Sequence, residues 1–418
     1  MEMNDIEIMS PAGSFEAIAA AIQGGAGAIY FGAGNLNMRA ASSNNFSIEN
    51  IKDIAKICAD NNVKSYLTVN TVMYDEELGQ LQTILEEAKK AGISAVIASD
   101  MAAITIAREL GIEVHVSTQL NVSNYRAVKF YSQFADVIVL ARELSLDKVK
   151  AITEQIKAEQ LRGPNGELVR IEIFIHGALC MAVSGKCYLS LHAHNRSANR
   201  GACLQSCRRS YTVTDNETGY QLEIDNKYIM SPKDLCTVGF IDKILDAGVT
   251  VLKIEGRGRS PEYVKTVTEV YHQAIDACFS KTYSDDLIKE LTEKLRSVFN
   301  RDFWNGYYLG QTFGEWSNRY GSQATTRKVQ IGKVVKYYSK IQVVALKLES
   351  GSLASGEKII VIGPTSGVIE LSSEDLRIDG KSVPSVEKGV EFSVSCVEKL
   401  RPNDKLFKIV DSDKTNQQ

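Results

Sequence analysis

IEIFIHG, residues 171–177, is a short run of apolar and β-branched residues ending in His-Gly. Its length and composition suit a buried strand better than a helix. Runs of the same kind recur before and after it: IEIM (6–9), AIYFG (28–32), SYLTVN (65–70), AVIAS (95–99), VHVST (114–118), VIVLAR (137–142) and VLKIEG (251–256). Between them lie helical periods such as FEAIAAAI, ENIKDIAKICADNN, LGQLQTILEEAKKAG and AAITIARELG. Apolar strands alternating with helices indicate a parallel sheet covered on both faces. Eight such units favour an α/β fold of the (β/α)8 TIM-like barrel type over an open doubly wound sheet.

The spacing changes after IEIFIHG. A long irregular stretch separates it from VLKIEG, and long connections inside compact domains usually carry function. This stretch contains HGALCMAVSGKCYLSLHAHNRSANRGACLQSCRR (176–209), with Cys180, Cys187, Cys203 and Cys207 spaced C-x6-C-x15-C-x3-C. Beyond a polar, glycine-containing break at 311–329 the texture is different: IGKVVKYY, KIQVVALKL, GEKIIVIGP, GVIEL, VEFSVSCV and DKLFKIV. Short alternating strands with Gly, Ser and Pro between them predict a small C-terminal antiparallel β-barrel. The expected organisation is a barrel domain over 1–315, with the cysteine segment at 176–236, and a β domain over 328–412. DSDKTNQQ at the end reads as a frayed tail.

With 418 residues, 44% hydrophobic and 24% charged, the chain has the composition of a globular protein with a large core. The start, MEMNDIEIMSPAGS, shows neither a basic region nor a long apolar segment, and no apolar run reaches membrane-spanning length. A cytoplasmic setting is expected, without a membrane partner. Thiols stay reduced there, so clustered cysteines point to metal binding or catalysis rather than disulfides.

A net charge of −3 excludes nucleic-acid binding by bulk positive charge. Two local basic groups stand out: Arg196, Arg200, Arg208 and Arg209, and then Lys253, Arg257 and Arg259. Each reads equally well as a solvated loop. Zinc modules bring ligands in close pairs, and only Cys203 and Cys207 approach that pattern. Iron–sulfur clusters accept more varied spacings, so the spacing favours a cluster over zinc. Cys236, in SPKDLC, is a fifth candidate that competes with Cys203 or Cys207. Cys58, Cys278 and Cys396 fall in helix or strand patterns and read as core residues. His192 and His194 read as loop histidines or metal ligands. GAGAIYFGAGN (25–35) lacks the Walker Lys-Ser/Thr, and its first glycines precede the strand, so it reads as a tight turn. No G-x-S-x-G or HExxH pattern is present.

Active sites of such barrels lie at the carboxyl ends of the strands. The residues there include Arg39, Asn70, Gln119, Arg142, His176, Glu255 and Arg257, so polar and charged groups converge on the face that carries the cysteine segment.

IEIFIHGALCMAVSGKCYLS resembles the signature of the collagenase-like peptidase family U32. SPAGSFEAI, AIYFG, VHVSTQLNVSN, RELSL, GACLQSCRRSY, MSPKDL and KIEGRGRSPEYV resemble further blocks of that family, in family order, over residues 6–310. FIHGALCMAVSGKC, CRRSY and the C-terminal barrel are most similar to the type that hydroxylates tRNA wobble uridine to 5-hydroxyuridine. The resemblance implies an oxygen-independent RNA hydroxylase with prephenate as hydroxyl donor and tRNA as partner. Ribosomal RNA cytidine hydroxylation and proteolysis are the alternatives. It implies a 4Fe–4S cluster on Cys180, Cys187, Cys203 and Cys207. Arg39, Arg142 and Arg257 would then clamp a dicarboxylate, with Glu255 orienting an arginine or moving a proton. Gln119 and Asn121 would hydrogen-bond a flipped base. With the resemblance, the candidate catalytic set is Glu255, Arg257, Arg142 and His176, and the candidate substrate contacts are Arg39, Asn70, Gln119, Asn121 and Lys253. The small net charge leaves open a requirement for a partner protein.

Overall fold

The computed structural model describes residues 2–40, 45–219, 221–222, 230–318 and 320–412. Part of the cysteine segment and nearly all of the expected frayed tail lie outside these residues.

The strands in chain order are β1 (Glu7–Pro11), β2 (Ala28–Phe31), β3 (Lys64–Val69), β4 (Ala95–Ala98), β5 (Glu113–Val116), β6 (Val137–Val139) and β7 (Arg170–Ala178). Then come β8 (Val213–Thr214), β9 (Gln221–Leu222), β10 (Asp234–Cys236) and β11 (Val251–Ile254). Strands β1 to β7 pair in sequence order, all parallel, and β11 pairs in parallel with both β7 and β1. That double pairing closes the ring of eight expected from the sequence. β8 and β9 form a separate hairpin, while β10 runs antiparallel to the end of β7.

The helices α1 (Phe15–Gln23), α2 (Asn50–Asp60), α3 (Leu78–Ala91), α4 (Met101–Glu109), α5 (Tyr125–Tyr131) and α6 (Leu146–Ala158) follow the first six strands in turn. α7 (Leu189–His194) lies in the cysteine segment, and α8 (Ile241–Asp246) completes the crossover to β11. α9 (Pro261–Ser280) and α10 (Asp285–Ser297) follow. The barrel helices bury one stripe each, as α2 does with Ile51, Ile54, Ala55 and Cys58, whereas α7 buries only Ser190. Short polar side chains start several of them. Ser14 accepts from the Ala17 amide at 3.2 Å, Asp100 from Ala102 at 2.9 Å and Asn124 from Ala127 at 3.0 Å.

After β12 (Phe303–Trp304) the chain enters the antiparallel part. Its strands are β13 (Thr326–Tyr338), β14 (Val343–Leu348), β15 (Ser352–Ala354), β16 (Ile359–Gly363) and β17 (Gly367–Leu371). They continue with β18 (Leu376–Ile378), β19 (Lys381–Val383), β20 (Ser385–Glu387), β21 (Glu391–Ser395) and β22 (Lys405–Asp411). Eight of them form one antiparallel sheet, with β15 and β20 paired separately, around a core that includes Val334, Leu346, Val361 and Leu406. Cys396 belongs to this core, as its strand pattern predicted. The sheet docks on the barrel through Ile360, Ile362 and Val368 against Ala20 of α1. Gln23 fastens the seam: its amide nitrogen donates to the Ser366 carbonyl and its oxygen accepts from the Val368 amide, both at 2.9 Å.

Candidate functional site

The barrel interior carries charge at both ends, and the two ends are built differently. At the amino ends of the strands, Glu7 accepts from Lys64 at 2.7 Å, Arg170 at 3.2 Å and the Tyr66 hydroxyl at 2.7 Å. Arg170 also reaches Glu113 at 3.3 Å. His115, fully buried, stands 3.3 Å from Glu113 and 3.5 Å from Glu172. Glu172 in turn accepts from Lys253 Nζ at 2.7 Å. This floor positions Lys253, whose ammonium also lies 4.6 Å from the centroid of the Tyr30 ring.

At the carboxyl ends the barrel opens into a cavity. Arg39, Asn70, Gln119, Arg142, Lys253, Glu255 and Arg257 all line it, as do Cys180, Cys187, Cys203 and Cys207. The β domain contributes no lining residue.

Arg257 is the deepest of the cavity arginines, 6% exposed. It donates to Asn37 Oδ1 at 2.9 Å and Thr68 Oγ1 at 2.8 Å, both neutral acceptors. Burial pulls its pKa down to about 10, with Arg39 adding to the fall and Tyr30 and Glu255 opposing it. The guanidinium passes so close to Gly32 that a Cβ there would stand 2.5 Å from Nη1. Arg39 donates to Glu255 at 2.9 Å. Burial alone would raise the Glu255 carboxyl, but Arg39, Arg259 and Arg142 outweigh it and hold it at about 2. Glu255 is therefore a fixed anion at neutral pH. Arg142 stacks 3.8 Å from the Phe174 ring centroid and donates to the Ala178 carbonyl at 3.1 Å. Asn70 accepts from the Met38 amide at 3.2 Å, and Gln119 accepts from the Ser117 hydroxyl.

Three sequence candidates are placed elsewhere. β7 and β11 pair Lys253 with Phe174 and then Ile254 with His176, so Ile175 is an extra, bulged residue. The bulge reverses the alternation and turns His176 away from the cavity with Ile254. His176 sits among the rings of Tyr263, Tyr271 and Phe303, and burial, reinforced by Arg259, lowers its pKa to about 3. It is a neutral packing residue here, a correction to its expected catalytic place. Asn121 adopts φ 52° and donates to the carbonyls of Gln119, at 2.8 Å, and Ser184, at 3.4 Å. It ties the β5 loop to the cysteine loop without lining the cavity. Cys236 is buried on β10, with the Tyr271 hydroxyl 4.0 Å from its sulfur. Cys207, not Cys236, therefore shares the cavity with Cys180, Cys187 and Cys203. His192 and His194 are exposed on α7.

Sequence reading missed the neutral cradle of Asn37 and Thr68 and the floor acids. A signal for the floor was present: Glu7, His115, Glu172 and Lys253 each interrupt an apolar strand.

The cysteine segment covers the mouth. Gly201, at φ +75°, lies against the turn after β2, where a Cβ would meet the Asn37 carbonyl at 2.4 Å. Burial raises the Cys207 thiol; Arg208 lowers it, and Cys180, Cys203 and Cys187 raise it further. Four thiols facing one cavity match a thiolate-held cluster in kind and number. Among the described residues, no three Cys, His, Asp or Glu side chains already close round one metal-binding point.

Fold and site together define a (β/α)8-barrel protein with a cationic cavity under a thiol-bearing lid segment. The family model described as peptidase family U32 matches residues 13–318, and the chain belongs to that family. A protein of Porphyromonas gingivalis named collagenase is 56% identical over 98% of this chain and 99% of its own length. The tRNA hydroxylation protein P1 of Bacillus subtilis is 34% identical over 86% of this chain and 83% of its own. A 23S rRNA 5-hydroxycytidine synthase of Escherichia coli is 37% identical over 73% of this chain and 44% of its own. The family thus contains enzymes named for RNA hydroxylation and for proteolysis. No helix among the described residues is long and apolar enough to cross a membrane.

Proposed function

We propose that the protein is a cytoplasmic tRNA-modifying enzyme that converts wobble uridine to 5-hydroxyuridine without oxygen, with prephenate as hydroxyl donor. The observation that carries this reading is Arg257, a buried cation whose hydrogen-bond partners are neutral, facing a cavity in which, among the described residues, Arg39, Arg142 and Lys253 outnumber the single carboxylate Glu255 beside four thiols. Such a cavity attracts a small dianion. Relatives named for tRNA and rRNA hydroxylation support the reaction class.

In this reading Arg257 and Arg142 hold the two carboxylates of prephenate. Glu255 fixes the plane of Arg39, and Glu172 fixes Lys253. Asn70 and Gln119 are placed to hydrogen-bond the edge of a flipped uracil. Asn121 positions the lid loop rather than the base. Cys180, Cys187, Cys203 and Cys207 would hold a 4Fe–4S cluster, which supplies Lewis-acid or redox chemistry at the cavity edge when bound.

The test is nucleoside mass spectrometry of total tRNA from cells with and without the gene. Loss of 5-hydroxyuridine, restored by the wild type and not by Cys180→Ala, is expected. An unchanged tRNA profile with loss of 5-hydroxycytidine from ribosomal RNA would redirect the same chemistry to that target.

Proteolysis is the second reading, favoured by the relative named collagenase. Glu255 is held too acidic to be an effective general base at neutral pH, and His176 does not reach the cavity. Cleavage of collagen peptides by the purified protein, abolished by Glu255→Gln, would establish it.

A further inference from the structure

The two basic groups of the sequence converge in part. Arg208 and Arg209 from the first, Arg259 from the second, and Arg301 from beyond α10 line one groove beside the mouth. Phe299 and Tyr320 complete its walls. Arg200 is not among them, because it is taken by Glu77 at 2.6 Å.

Among the described residues, the groove is lined by four arginines and by no Asp or Glu side chain. Arg301 is paired with Asp234 at 3.3 Å. Arg208 is buried and donates to the carbonyl of Pro232 at 2.6 Å and Ser231 Oγ at 3.1 Å, both neutral. The Arg259 guanidinium carbon lies over Phe299, 3.6 Å from the ring centroid, a contact that restrains the side chain beside the groove. Arg209 is exposed, and Tyr320 is 65% exposed at the rim. Asp234, in contact with Arg301, and Glu255, which acts on Arg259 from the adjoining neck, are the carboxylates set against these four guanidinium groups in a chain whose net charge is −3. A neck lined by Arg39, Cys203, Cys207, Glu255 and Arg259 joins this groove to the thiol side of the cavity.

We propose that the groove is a phosphate-backbone site for a single-stranded stretch of RNA whose base enters the cavity through the mouth. Arg209 and Arg259 contact the phosphates, and Tyr320 offers a face on which a neighbouring base stacks. Arg208 and Arg301 shape the groove and add to its field. The pairing of a cationic track with an aromatic platform fits a flexible strand, whose bases are free to stack. This inference rests on the RNA reading of the cavity, but it is tested by binding alone.

The experiment is fluorescence anisotropy of a labelled anticodon stem–loop RNA with the full-length protein purified without oxygen, over a series of salt concentrations. Arg209→Gln and Arg259→Gln are each expected to reduce the slope of log affinity against log salt by about 0.7, the contribution of one phosphate contact on a single strand. Tyr320→Ala is expected to weaken binding about tenfold with the slope unchanged. Lys336→Gln, in the β domain, should leave both quantities as in the wild type. Arg209 has no packing role, so its variant tests the groove even if Arg259→Gln disturbs the fold. Wild-type affinity and slope in the Arg209→Gln and Arg209→Gln/Arg259→Gln proteins would overturn the proposal, as would a wild-type protein that binds no RNA. Arginine-dependent binding without any hydroxylated nucleoside would uphold the groove and sink the hydroxylase reading.

Discussion

The floor of the barrel and its mouth both bury charge, and they differ in how that charge is answered. On the floor, Glu7, Glu113 and Glu172 are met by Lys64, Arg170, His115 and Lys253 at 2.7 to 3.5 Å. At the mouth, Arg257 is as deeply buried but rests on an amide and a hydroxyl. Desolvation is costly in both places; the floor charges and Arg39 recover it through contact ion pairs, whereas Arg257 makes none and feels Glu255 only through space. The difference teaches where to look for a ligand. A set of contact pairs explains itself as structure, whereas a buried cation hydrogen-bonded only to neutral groups retains room for an anion from outside. Lys253 belongs to both regions, anchored below by Glu172 and lining the cavity above.

The comparison breaks most visibly on the floor. Glu172→Ala removes the partner of Lys253 and a neighbour of His115, both buried. It should cost about 3–5 kcal/mol in denaturant unfolding, the usual penalty for stranding one side of a buried pair. A loss below about 1 kcal/mol would mean that the floor is not a cooperative network.

Arg257→Met should behave in the opposite way. It removes a charge that has no carboxylate partner, so unfolding free energy should change by no more than about 1 kcal/mol. Prephenate affinity, followed by calorimetric titration, should fall about a hundredfold for the lost charge-assisted hydrogen bonds. Iron–sulfur absorbance should be retained while 5-hydroxyuridine disappears. Strong destabilisation with unchanged affinity would make Arg257 a structural residue and erase the contrast.

The smallest effect sharpens the floor itself. His115 faces Glu113 from its own strand, Glu172 from β7 and the Tyr66 ring from β3, centroid to centroid 4.5 Å. Burial would lower its pKa, but the two carboxylates prevail and raise it above the ordinary 6.5. A raised folded value means that its contribution is fully present below pH 6.5 and is lost as pH climbs through the folded pKa. Unfolding free energy should therefore decline as pH rises above 6.5, and His115→Gln should flatten that decline. An identical decline in the variant would assign the pH dependence to other groups.

Much of this arrangement was legible before folding. The eight apolar runs marked the barrel strands because a parallel sheet buried on both faces demands them. The cysteine spacing singled out the lid, since four thiols in one irregular loop have little use as core. Strand-end polarity located most cavity residues. His176 failed for a local reason: counting alternate positions along β7 assumes an unbroken ladder, and the bulge at Ile175 shifts the count by one. Asn121 failed because a left-handed turn directs its amide to backbone carbonyls. Cys236 remained a candidate in the sequence, where distance along the chain says nothing about the antiparallel return of β10 along β7.

Sequence by itself determined the repeating units, the boundary in texture near residue 320 and the kinds of group available, because periodicity and residue chemistry are local properties. Tertiary structure decided which charges are answered. Arg257 meets Asn37 and Thr68 from distant parts of the chain, and Lys253 meets Glu172 across a strand pair. It also decided that Arg208, Arg209, Arg259 and Arg301 share one groove while Arg200 does not. Electrostatic partnership depends on distance through space, and barrel closure sets those distances.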